Sequence, residues 1–390
     1  MPTIYRTDAL AGFSCLGDKC EDTCCQNWSM QVDDATFELY QTKAPNLLDA
    51  VVEEDGLRVM KKSPVTRFCV KLDGGQCNIH KQLGSGFLGD ACHFYPRVTR
   101  SLGPTTLMTA TLSCPEIARL WLLADRPAEL QQADAERLPH TLKDYLPEGL
   151  SPQDALALHQ LFLQATEDSN ATPERIYARI AKAGRQLDSL PVGQWPIGAG
   201  IYLRSADAAQ PIPDGNVLDP FNLLHALCGL IVASQKPASP RLQTTIAEME
   251  RALSVKLDWQ NVTIDATNAS ASAYEGLKFT WSQHCAQRYN PVLRRWLQAQ
   301  LSVGLFPFAG LGATVSERIT IIGVRLATIK LALMCACDIY GGELPPEVLI
   351  RVIQSLSRFM DHLGDAKFSL MIYTETGWTQ EGRLRGLLEC

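Results

Sequence analysis

A chain of 390 residues, 46% hydrophobic and 20% charged with a formal net charge of -6, has enough apolar material for two domains of about 150 residues or more each. That composition excludes disordered and collagenous classes. Charges of both signs are interspersed without a basic stripe or tail, which argues against a nucleic-acid partner.

The opening residues, Met1 to Asp8, lack the apolar run of a secretory signal, so a cytoplasmic location is expected. The stretch from Cys15 to Cys25 then places Cys15, Cys20, Cys24 and Cys25 within eleven residues, and Cys69, Cys77, Cys92 and Cys114 follow within the next ninety. Thiolates at such density repel one another unless a metal or an iron-sulfur cluster neutralises them, and a chain without an export signal does not suggest a disulfide framework. The spacing suits a loop wrapped around a centre. Cys24 and Cys25 are adjacent, so their side chains diverge; one ligates while the other turns into the core, or the two serve different centres.

Alternation predicts a short strand over 28 to 32. Asp33 offers an N-cap to a helix over 34 to about 50 that turns Phe37, Leu39, Tyr40 and Leu47 inward. A second strand is expected over 65 to 72, and the turn Asp73-Gly74-Gly75-Gln76 delivers Cys77 to a short helical segment. His80 and His93 have ligand-like positions beside Cys77 and Cys92, although a surface or hydrogen-bonded histidine is the commoner outcome. The glycine-rich run 84 to 89 lacks the context of a phosphate loop and reads as a turn that brings Cys92 to the other cysteines. Residues 97 to 102 and 105 to 113 alternate about Gly103-Pro104 as a hairpin. Ser113-Cys114-Pro115-Glu116 has capping-box spacing, which puts Cys114 at a helix N-terminus where thiol pKa falls.

Beyond about residue 125 the period becomes helical. Ser151-Pro152, Thr172-Pro173, Asp219-Pro220 and Ser239-Pro240 each read as an N-cap followed by proline at the first helical position, and further helices are expected over 274 to 301, 315 to 339 and 345 to 363. Seven or eight helical elements result. The apolar runs near 221 to 233 and 319 to 337 carry Asn222, His225, Arg325 and Lys330, so they read as buried helices and no membrane association is expected. Cys228, Cys285, Cys335, Cys337 and Cys390 read as core residues. The expected fold class is an α+β cysteine-rich, cluster-binding domain over 1–125 followed by a mostly α-helical domain over 126–390.

The pattern Phe13-x-Cys15-x4-Cys20-Glu21-Asp22-x-Cys24-Cys25-x2-Trp28, followed by Asp33, Cys77, Cys92-x3-Pro96-Arg97 and Ser113-Cys114-Pro115, resembles the flagellin lysine-N-methylase (FliB) family. Its amino-terminal part also resembles the wider group of cysteine-rich zinc- or iron-chelating domains. The resemblance implies a cytoplasmic enzyme that transfers methyl groups from S-adenosylmethionine to flagellin lysines and carries an iron-sulfur cluster. A single 4Fe-4S cluster with ligands from the opening and the later cysteines is the first expectation; two zinc sites are the competing arrangement. Trp28 and Arg97 are candidates for cofactor binding, and Asp33 and Tyr95 for catalysis. Two other functions compete, a non-catalytic metal or iron-sulfur binding protein and an iron-sulfur oxidoreductase.

Overall fold

The computed structural model describes residues 3–26, 28–134, 137–204, 219–235, 238–363, 366–380, 383–384 and 388. Cys390 lies outside them. The fold is mixed, with small sheets in the amino-terminal third and helices beyond. The largest sheet has four strands, in the order Arg97–Leu102, Thr105–Ala110, Thr3–Thr7, Leu130–Ala133. The predicted hairpin is its backbone: Leu102 pairs with Thr105 across a two-residue loop, and Gly103 at φ +61 supplies the positive φ that such a loop needs. Thr3–Thr7 inserts beside it, parallel to Thr105–Ala110, which nothing in its short pattern announced.

Several local expectations are corrected. The helix from 34 ends at Lys43, because Pro45 cannot continue it, and Pro45–Ala50 turns into a 3-10 helix. Residues 28 to 32 form no strand among the described residues, only a single bridge from Gln31 to Val59. The strand expected over 65 to 72 is mostly loop, with Val65 exposed and Arg67 at φ +62; Phe68 and Cys69 make single bridges to Gln26 and Lys62, and Leu72–Asp73 pairs with Gln76–Cys77. The helix expected over 274 to 301 is interrupted by a π-turn at Trp281–Cys285. Among the described residues, ten α-helices follow residue 125, because Trp195–Arg204 and Ala366–Glu375 also form. Trp195–Arg204 carries Gly198 and Gly200, poor helix formers, but a Cβ at Gly198 would lie 2.5 Å from Leu190 Cδ1. Packing there requires the glycine that hides the helix from its sequence.

The prolines at helix starts hold: Ser151, Thr172 and Ser239 each accept the amide three residues on. Val315–Ile339 forms as expected, opened by a capping box of Thr314 and Glu317. It is long and apolar enough to cross a membrane, yet its most apolar 18 residues are all buried inside the protein, where it packs against Pro173–Leu187, Pro240–Leu253 and Pro346–Asp361.

The described residues form two apolar cores. The main one joins Ile4, Leu102, Leu112 and Trp121 to the helices beyond 125, so packing is continuous across that residue. The smaller one gathers Met30, Val32, Tyr40, Leu47, Met60 and Ile79. Within the main core His159 is buried and its Nδ1 lies 2.9 Å from Phe306 O. Burial lowers its pKa to about 4. A histidine charged less readily in the folded state contributes stability that is intact above its unfolded pKa of about 6.5 and is lost as pH falls towards 4. From pH 7.5 to 4, roughly 3 kcal/mol is expected to disappear through this residue. Urea denaturation of wild type and His159→Gln at both pH values measures it: the variant should show a smaller loss on acidification.

Candidate metal centre

The loop with the first cysteines begins where the helix Asp8–Ala11 stops at Gly12. A 3-10 turn, Gly17–Lys19, redirects it, and Cys20 follows in extended conformation with its Sγ 2.8 Å from Asp22 O. Cys69 is drawn under this loop because its amide donates to Cys25 O at 2.9 Å. The Gly74-Gly75 turn places Cys77 opposite Leu72 and at the N-cap of Asn78–Leu83. Cys92 sits in Asp90–Phe94, which starts against the segment around Gln31; a Cβ on Gly89 would lie 3.1 Å from Gln31 O, so a larger residue would displace the helix. Cys114 caps Pro115–Leu122 directly, one residue later than the capping-box spacing suggested, and Glu116 pairs with Arg119 instead of reaching back.

All eight cysteines line one cavity of about 920 Å³. Cys69 and Cys114 are buried, Cys15 and Cys24 exposed, and the other four lie between; all are free. The exposure of Cys24 coexists with dense surrounding protein, because its open side faces the cavity. A hydrogen bond from Cys25, working against burial and helped by Arg358, brings Cys24 down to about 7. Cys25 moves strongly the other way, through the same hydrogen bond and burial. Burial, with neighbouring thiols, also raises Cys92. Cys114 does not gain the low pKa expected of a helix start: burial lifts it to about 12 although the Ile117 and Glu116 amides favour the thiolate. Thiols such as Cys25, Cys92 and Cys114, which burial keeps protonated, become metal ligands only on losing that proton to a bound cation.

The spacing of the sulfurs tests which cation fits. Tetrahedral zinc with Zn–S near 2.3 Å holds its sulfurs about 3.8 Å apart. Among the described residues the one group of three potential ligand atoms lying within 4.8 Å of one another is Asp33, Asp90 and His140, and no three cysteine sulfurs come that close. A polynuclear iron-sulfur cluster, with iron and sulfide between its thiolates, spaces them further apart than one zinc ion does.

Trp28, Tyr95 and Arg97 also line the cavity. The Trp28 indole donates to Cys24 O, and its ring lies 5.9 Å from Tyr95 and 5.9 Å from His362. The Tyr95 hydroxyl meets Ser113 Oγ at 3.1 Å, and burial raises its pKa well above the ordinary phenol range. Arg97 stands 5.5 Å over the Phe13 ring. His80 and His93 line the cavity too, and His93 Nδ1 is 3.1 Å from Ser85 O. Asp33 is placed differently. Its carboxylate caps Asp34–Lys43 at Thr36, accepts the Asp90 amide at 2.9 Å and meets His140 Nδ1 at 3.1 Å, and it is not part of the cavity wall. Against burial, which acts the other way, the Asp90 and Thr36 amides hold its carboxyl below the usual range.

Sequence reasoning missed the helix Pro346–Asp361 as a wall of this site. Arg358 Nη1 pairs with Asp22 Oδ1 at 2.5 Å, both side chains nearly buried. Gln354 Nε2 donates to Asp22 Oδ2 at 2.9 Å and to Ser113 O at 2.8 Å, which draws the Cys20–Cys24 loop against the start of the Cys114 helix. The only available signal was a pair of polar residues, three turns into an otherwise amphipathic helix, on its buried side.

Comparison with known proteins agrees with the family read from the cysteines. Over 126 residues, 30% of this chain, it is 26% identical to the flagellar biosynthetic protein FliU of Salmonella muenchen, covering 74% of that protein. It is equally 26% identical over 126 residues to the lysine-N-methylases of Salmonella typhimurium and Salmonella choleraesuis, where the match spans 31% of each. The resemblance to the flagellin lysine-N-methylase family therefore holds at the level of names and of a partial, low-identity alignment. No family model and no solved structure matches the chain.

Proposed function

We propose, from the similarity to lysine-N-methylases, that this protein is a protein-lysine N-methyltransferase that uses S-adenosylmethionine, acts on flagellin and holds an iron-sulfur centre of the 4Fe-4S type. The observation that carries the reading is the convergence of eight cysteines on one cavity that Trp28, Tyr95 and Arg97 also line. When bound, the cluster supplies a cross-link between the cysteine loops and fixes the shape of that cavity.

The chain's own residues meet the other requirements of methyl transfer. A lysine amine attacks a sulfonium methyl only when neutral, so its proton must be lost on entering a poorly solvated pocket. Tyr95, kept protonated by burial, is suited to donate or accept a hydrogen bond that orients the amine, and is not suited to remove its proton. The faces of Trp28 and Tyr95 offer the negative quadrupole that attracts a sulfonium, and Arg97 offers a charge partner for the donor's carboxylate. Asp33 contributes by holding the Asp90–Phe94 helix, and with it Cys92, against the rest of the site.

Anaerobically purified, iron-replete protein incubated with methyl-labelled S-adenosylmethionine and flagellin is expected to label flagellin lysines, mapped by mass spectrometry. Unlabelled lysines under those conditions would count against the methyltransferase.

A further inference from the structure

The eight cysteines do not belong to the two cores equally. Cys25, Cys69, Cys77 and Cys92 all pack against the smaller core of Met30, Tyr40 and Ile79. They are a complete set of four, and their backbones are tied locally: the Cys69 amide to Cys25 O, and Cys77 through the hairpin that begins three residues after Cys69. Cys114 belongs to the main core. Cys20 and Cys24 sit on the loop that Asp22 pins to Arg358 and Gln354, and Gln354 also holds Ser113, the neighbour of Cys114. Cys15 is exposed near the start of the same loop, as Cys24 is near its end. The second four therefore lie on the seam between the cysteine-rich part and the Pro346–Asp361 helix.

We infer that this chain holds two iron-sulfur clusters, an inner one on Cys25, Cys69, Cys77 and Cys92 and a seam one on Cys15, Cys20, Cys24 and Cys114. The adjacent pair Cys24 and Cys25, whose thiols are hydrogen-bonded to each other, is divided between them by packing: Cys25 lies against the smaller core and Cys24 does not. The inference deepens the iron-sulfur reading of the same cavity and replaces its single cluster by two. Electrostatic neighbourhoods agree: Cys77 and Cys69 both act on Cys92, whereas Cys20 acts on Cys114. Cys24 reaches both groups, as a residue at the junction must. Four thiolates satisfy one 4Fe-4S cluster, so each set is sufficient alone. Two paramagnetic reduced clusters sharing a cavity of this size lie close enough to broaden each other's resonance.

The test is iron and acid-labile sulfide per chain after anaerobic reconstitution of the full-length protein, with electron paramagnetic resonance of the reduced form. Wild type is expected to hold about eight irons and eight sulfides, against about four of each for a single cluster. Cys77→Ser/Cys92→Ser and Cys20→Ser/Cys114→Ser are each expected to retain about half of the iron and to give a sharper, uncoupled signal. Near four irons in wild type overturns the pair of clusters while leaving an iron-sulfur protein. Two zinc ions and no iron overturn both. Complete loss of iron in both variants, with wild-type circular dichroism, would mean one shared centre. Methylation is not part of this readout, so the result stands apart from the proposed activity.

Discussion

An Arg358→Met variant is expected to lose about 3–5 kcal/mol of folding stability, because it leaves Asp22 charged and unpaired in a place with little water. The Arg358 and Asp22 side chains are only 11% and 8% exposed, and Arg358 additionally donates to Gln26 O at 3.2 Å. Attraction between the pair does not by itself prove a stabilising contribution, since desolvating both ions costs several kcal/mol. The informative comparison is the double variant Asp22→Asn/Arg358→Met, which removes the stranded charge and should recover a large part of the loss. Urea midpoints of the four proteins in the cycle give the coupling directly. In the metal-free protein the same substitution should also move Cys24 back up, since Arg358 stands beside the thiolate; the pH dependence of its alkylation reports this. A single variant as stable as wild type would remove the helix Pro346–Asp361 from the support of the cysteine loop.

The second large effect lies in the helical part. Lys330 on Val315–Ile339 meets Glu174 Oε1 at 2.8 Å, with side chains 5% and 7% exposed. Lys330→Met is expected to cost about 3–5 kcal/mol by stranding Glu174, a buried carboxylate that sits in the first turn of Pro173–Leu187. Lys330→Met/Glu174→Leu should approach wild-type stability, because a packed apolar pair of similar volume avoids the desolvation of both ions. Thermal denaturation of the single and double variants decides between them. Equal losses in both would mean that the lysine matters through the hydrogen bond its ammonium donates to Leu388 O.

Local signals were legible wherever a short-range rule applied. Gly103-Pro104 marked the hairpin, Asp73 to Gln76 marked the turn before Cys77, and serine or threonine before proline marked helix starts at 152, 173 and 240. Alternation failed at 28 to 32 and 65 to 72, because loops built around a cavity also place apolar and polar residues in turn without pairing to a neighbour. Thr3–Thr7 was silent for a related reason: a five-residue strand held in the middle of a sheet takes its stability from partners a hundred residues away.

The chain alone determined that its first third supplies eight thiols in a pattern suited to an inorganic centre, since ligand type and number are written in residue identity. It also determined where most helices begin, because capping acts over three or four residues. Only the tertiary structure decided that Cys15 to Cys114 meet at one cavity, that Cys25 packs on the smaller core while Cys24 does not, and that Arg358 and Gln354 hold the Cys20–Cys24 loop from two hundred and forty residues beyond the last of those cysteines. Such meetings depend on how cores pack, and packing is a sum over many weak contacts that no local pattern encodes.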